Sequence, residues 1–262
     1  MMIPPEVAEL LEREATRINS PEFIAADPVQ FPRRYSDQSD IEIVSLLAAH
    51  MAWGNRKMIC RDIERLLAQM TPSPAAWVRN GAFENIPDEQ NIHRTFFGRN
   101  LKHMLRGLES ILSEYPTIDA WASTLGLRGK PGAPWLLAEA LNRRLAEANG
   151  GKGDPRCFPL NMQSTALKRL NMALRWLVRR DGIVDMGLWQ SLDPADLYVP
   201  LDVHVGNTAR RLGLTARRAN DRKTTEEITA ALRTLRPDDP ALFDYALFGL
   251  GVEPISSDEE TV

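Results

Sequence analysis

The segment Tyr198-Val-Pro-Leu-Asp-Val-His-Val-Gly-Asn-Thr-Ala-Arg-Arg-Leu-Gly-Leu214 holds the residues best placed to do chemistry. Asp202 stands directly before a helical run, where its carboxylate can accept backbone N–H bonds from the first turn and is favoured by the helix dipole. As an N-cap it needs no further role. The same position also holds a carboxylate rigid and ionised beside whatever cleft the preceding loop lines, which suits a group that stabilises positive charge developing on a substrate. The two readings are compatible.

Around this residue the charge is uneven. The net charge of −3 speaks against nucleic-acid binding only as an average. Residues 152–180 carry seven bases, among them Lys168, Arg169, Arg175 and Arg179, against the single acid Asp154. Residues 205–223 carry six, among them Arg210 and Arg211, against Asp221. If the two segments face one another they form a local phosphate-binding surface, because counterion release depends on local contacts; otherwise they are two solvated helix faces.

The elements that must position these residues read as helices. Periodicity places them at 4–19, from about 39 to 53, up to Thr71-Pro72, and near 75–80, 91–114, 117–125, 134–149, 163–180, 203–213, 224–235 and 239–249. Ser39 and Glu42 form a capping-box pattern ahead of the apolar run that starts at Ile41. On the 163–180 helix the leucines share one face, while Lys168, Arg175 and Arg179 form a basic stripe on another. No period-two stretch is long enough for a sheet strand, so the fold class is all-α. The polar, glycine-rich stretch 149–160 is expected to join two lobes of a single helical domain spanning 1–262, and the acidic end 251–262 is expected to fray.

The Asp202 segment resembles the Asp-bearing end of the helix-hairpin-helix-GPD DNA glycosylases, which read roughly Val-Asp-Thr-His-Val before an Arg-rich helix and a Leu-Gly. Here the counterpart is Pro200-Leu-Asp202-Val-His204-Val, then Arg210-Arg211-Leu212-Gly213. Glu42 to Asn55 looks like the early buried helix of that superfamily running into a substrate-side turn. Over most of its length the chain resembles a bacterial family set near these glycosylases, through Leu-Asn-Met with Arg-Trp, Pro-Leu-Asp-x-His and the closing Asp244-Tyr-Ala-Leu-Phe-Gly-Leu-Gly251. It departs from the superfamily in the hairpin. The usual Leu-Pro-Gly-Val-Gly-x-Lys has no counterpart, and residues 181–187, at about the right distance from Asp202, contain no lysine. The lysine between 153 and 201 is Lys168, and the pair Lys168 and Asp202 is similar to that of the archaeal 8-oxoguanine glycosylases, whose hairpin is also atypical.

The resemblance implies a two-lobed helix-hairpin-helix-GPD fold and a base-excision DNA glycosylase, with abasic-site lyase activity if Lys168 attacks. Asp202 would stabilise oxocarbenium character at the sugar. Arg169, Arg175, Arg179, Arg210 and Arg211 would hold double-stranded DNA, and His50, Trp53 and His204 would line the pocket for an extruded, damaged base. Trp53, Trp176 and Trp189 could stack on that base or serve as core; Phe243, Tyr245 and Phe248 read as core. No cofactor is expected, and four scattered histidines without ligand spacing disfavour a metal. Two alternatives stay open: a non-catalytic nucleic-acid-binding protein of the same fold, and a helical partner-binding module. Two distant cysteines and the lack of a leader-like or membrane-spanning stretch suggest a cytoplasmic protein, nucleoid-associated if it acts on DNA.

Overall fold

The computed structural model describes residues 3–252; most of the 251–262 tail lies outside them. The chain is predominantly helical. Pro5–Ile18 (α1) and Pro21–Ala26 (α2) precede two short 3-10 turns and the buried helix Gln38–Met51 (α3). Then follow Arg56–Leu67 (α4), Pro74–Arg79 (α5), Gly98–Glu114 (α6), Ile118–Thr124 (α7) and Ala133–Ala148 (α8). A long loop leads to Lys168–Val178 (α9), Val203–Arg211 (α10), Arg222–Arg233 (α11) and Asp244–Val252 (α12). No helix among the described residues is long and apolar enough to cross a membrane.

Two helix boundaries differ from the periodicity. Residues 91–97 form a small antiparallel hairpin, Asn91–His93 with Phe96–Phe97, turned at Arg94 in the left-handed region (φ 51°), rather than the first turn of α6. Both strands are shorter than any alternation test can resolve. Helix α9 begins at Lys168, five residues later than the apolar pattern suggests, because Leu167 at its N-cap is itself left-handed (φ 49°) and breaks the helix there.

Buried carboxylates tie the helices together. Asp37, not Ser39, caps α3 by accepting from the Ser39 and Asp40 amides, while Ser39 donates to the Pro116 carbonyl. Glu42 does not close a capping box on its own helix. Fully buried, it accepts from Ile118 N (2.6 Å) and Asp119 N (3.1 Å) and so caps α7 from across the core. Asp40 accepts from Ala75 N on α5, and Asp119 from Gln190 N and Ser191 N in the loop ahead of α10. Helix ends buried in a core need such partners.

Burial pushes the Glu42 carboxyl from 4.5 up to about 7, although the two amides and Gln38 oppose the shift. Folding raises this pKa, so the stability it contributes is complete below pH 4.5 and fades as pH rises through 7. Urea unfolding at pH 5 and pH 8 should therefore show the wild type losing stability relative to Glu42→Gln. Equal changes in the two proteins would refute this.

Packing crosses the 149–160 loop in both directions. Helix α6 lies on α8, and α3 on α9; α1 packs on α12, and α12 on α10. The first helix of the chain thus belongs with the last ones, and α9 sits between α3 and the C-terminal helices. The α6–α8 approach requires a glycine at 107, where a Cβ would fall 2.8 Å from the Leu145 Cα.

Candidate active site around Lys168 and Asp202

Asp202 is the N-cap of α10, as its place in the sequence implies, with Oδ1 accepting from Val205 N at 3.0 Å. The cap fixes the carboxylate, and Oδ2 lies 4.0 Å from the Lys168 Nζ. Lys168 is the first residue of α9 and rests its amine 3.7 Å from the Met172 sulfur. Both side chains are half-buried.

The loop that leads into α11 joins the two helix starts, pairing with the lead-in of α9 on one side and bonding to the start of α10 on the other. Thr165 pairs with Asp221, the Arg222 amide donates to the Ser164 carbonyl (3.2 Å), and the Trp135 indole donates to Thr165 O (2.9 Å). On the other side, Asn220 donates to the Asp202 carbonyl (3.1 Å). Arg210 anchors that loop by donating to Arg217 O, Arg218 O and Asn220 Oδ1.

Lys168 and Asp202 open onto a cavity of about 560 Å³. Phe23, Trp53 and Phe248 give it aromatic walls; Asp27, Arg56, Arg175, His204 and Asp244 supply its other polar groups. Trp53 is half-buried under the exposed Arg94, whose guanidinium carbon lies 4.5 Å from the ring centre. Its carbonyl faces His93 Nε2 at 2.9 Å, and His93 Nδ1 meets the buried Asp62 at 2.8 Å, so a buried His–carboxylate pair holds the Trp53 turn. Gly54, next in that turn, has φ 107°, a conformation only glycine adopts freely.

Lys168 also borders a second, smaller hollow of about 310 Å³, with His50, Cys157, Arg169 and Asn220. Here two sequence expectations need correcting. His50 does not line the cavity that holds Asp202; it is buried in the smaller hollow, where Arg169 donates toward its carbonyl and Nε2, both at 3.3 Å. Burial, then the Arg169 charge, holds the His50 pKa well below its ordinary value, leaving a neutral ring to accept from Arg169.

Arg175 and Arg179 are likewise not a phosphate-facing stripe. They are 3% and 1% exposed. Arg175 is paired with Asp185 (3.4 Å) and with Asp244, and its guanidinium lies 4.1 Å from the Tyr245 ring centre. Arg179 meets Asp185, Asp181 (2.9 Å) and Asp239 (2.8 Å). Carboxylates from the following loop and the chain end neutralise the stripe and let it turn inward. Of the five arginines, Arg169 and Arg210 are half-buried and engaged in the contacts above, while Arg211 is exposed and reaches the Leu250 carbonyl. Trp176 and Trp189 are core.

Three carboxylates at the cavity differ in what occupies them. Asp202 is capped onto Val205 N, and Asp244 is paired with Arg175; burial lifts Asp244 to about 6, against the pull of that arginine. Asp27 is 9% exposed, accepts from Val29 N (3.1 Å), and is pushed up by burial against the opposing influence of Val29, Arg175, Arg56 and Lys168. Asp27, Phe23, Arg56 and the wall position of Phe248 were not legible as site residues. Among the described residues, no three His, Cys, Asp or Glu side chains cluster tightly enough to hold a metal ion.

No curated protein and no solved structure matches the chain. A family model described as "Protein of unknown function (DUF2400)" matches residues 27–253, a span that contains Asp27, Lys168, Asp202 and Asp244, and the chain belongs to that family.

Proposed function

We propose that the protein is a base-excision DNA glycosylase with abasic-site lyase activity, built on a helix-hairpin-helix-GPD type of helical fold. One observation carries the reading: a lysine amine and a capped aspartate stand 4.0 Å apart at the wall of a cavity large enough for a base. A base must leave the duplex to be cleaved, and a cavity with aromatic walls suits its extruded form.

In this reading the unprotonated Lys168 amine bonds to the anomeric carbon as the bond to the base nitrogen breaks. The base leaves with the electron pair and gains a proton. Asp202 stabilises the positive charge that develops on the sugar between these events, and its fixed position means that no reorganisation accompanies the step. The secondary amine so formed opens the sugar to an imine, from which strand cleavage follows. The exposed cations Arg56 and Arg94 near the cavity mouth, and Arg211 on α10, are placed to meet phosphates.

Borohydride trapping on an abasic duplex tests this directly. The wild type should give a covalent protein–DNA adduct, and Lys168→Ala should give none, while both melt within a few degrees of one another. No adduct from the wild type would remove the lyase, and an adduct that persists in Lys168→Ala would remove Lys168 as its nucleophile.

A further inference from the structure

We propose that Asp27 selects the substrate base, by accepting an N–H from the base edge on a carboxylate oxygen that the protein leaves unused. The proposal rests on the glycosylase reading of this cavity and adds what that cavity recognises.

The observation is a cavity carboxylate with one oxygen that no protein group occupies. Asp27 lines the same cavity as Lys168 and Asp202 and is 9% exposed. Its Oδ1 takes the Val29 amide, which caps the 3-10 turn at Pro28–Gln30. No hydrogen bond reaches its Oδ2 among the described residues, and no cation forms an ion pair with it; Arg175, Arg56 and Lys168 act on it only through space. The other two cavity carboxylates have their partners: Val205 N and the nearby Lys168 amine for Asp202, Arg175 for Asp244. The Asp27 Oδ2 is not among the sealed, unpartnered polar atoms of the described residues, so it keeps access to cavity solvent; a ring that displaces this solvent must bring a donor of its own, or it leaves the carboxylate oxygen buried and unpaired.

The surroundings restrict which ligand that is. Phe23, Trp53 and Phe248 present flat apolar surface, and Phe23 is held edge-on by Phe248 and Tyr245. An aromatic ring with an N–H on its rim satisfies walls and carboxylate together. A ring whose nitrogens are all alkylated or bear only lone pairs leaves Asp27 unpaired and sets acceptor against acceptor. Sites built around one polar group reject analogues that lack its partner more strongly than apolar pockets reject changes of size. The substrate class is therefore a base that offers an imide, lactam or amino N–H to the cavity wall.

Free bases test this without knowledge of the lesion. Uracil and xanthine, and their fully N-methylated counterparts 1,3-dimethyluracil and caffeine, would be titrated into the protein and followed by amide chemical shifts around the cavity. At least one N–H base should bind saturably, with its methylated partner at least about tenfold weaker. Asp27→Asn keeps an acceptor for Val29 N and turns an N–H toward the cavity, so it should fold normally, as its melting temperature will show, and lose that preference. The proposal falls if no N–H base binds the wild type, if methylation makes no difference, or if Asp27→Asn binds as the wild type does. Wild-type trapping on an abasic duplex, which carries no base at that position, is run beside it. Its failure would overturn the lyase reading, whereas failure of the base titrations with trapping intact would overturn the role of Asp27 alone.

Discussion

Asp202→Asn is expected to fold as the wild type does and to release base from its substrate duplex about 10²–10³-fold more slowly. The substitution separates the two roles that the position combines. Asn is as good an N-cap as Asp, so the bond to Val205 N and the start of α10 persist. The negative charge beside Lys168 and the sugar does not. Single-turnover base release at saturating enzyme reads the chemical step, and duplex affinity measured in parallel should change little. A rate within threefold of wild type would leave Asp202 as a cap and nothing more. Asp202→Ala is the less informative change, because it removes cap and charge together.

The second large effect falls on stability. Arg175→Ala should destabilise the protein by about 3–5 kcal/mol, the usual cost of removing one partner from a buried ion pair. The guanidinium stands between Asp185 and Asp244 and against Tyr245; without it the buried Asp244 loses its ion-pair partner and Asp185 keeps only Arg179. Chemical denaturation would report the loss. Arg175→Ala with Asp185→Asn and Asp244→Asn should recover part of it, because the stranded charges are then gone. Arg211→Ala, at an exposed position on α10, should stay within about 0.5 kcal/mol of wild type. Were Arg175→Ala equally mild, the stripe on α9 would be a solvated face after all, and its basic residues would again be candidates for contact with DNA.

These two residues show which features of the site a sequence can disclose. The Asp202 cap is local: donor and acceptor lie three residues apart, so the pattern is complete within one turn. Lys168 emerged from a resemblance and from the scarcity of lysines nearby. Arg175 and Arg179 were misjudged because helical periodicity shows that they share a face but not what that face meets. Their partners Asp239 and Asp244 lie 60 and 69 residues further on. Asp27 and Phe248 lie more than two hundred residues apart and reach one cavity only through tertiary packing, where Phe23 of α2 meets the Phe248 ring. The turn at Leu167 was invisible for another reason: a left-handed leucine is imposed by tertiary contacts against its own preference. The helical character of the chain, by contrast, was plain, since amphipathic periodicity repeats along most of it.

The setting of Trp53 has an optical consequence. Five of the six tryptophans, Trp77, Trp121, Trp135, Trp176 and Trp189, are buried, and Trp53 alone stands at the cavity wall within reach of solvent. A dissolved quencher such as iodide or acrylamide therefore acts first on the one indole that a bound ring would shield. The protein carries its own fluorophore for cavity occupancy, and the five sealed indoles provide an internal reference for its emission.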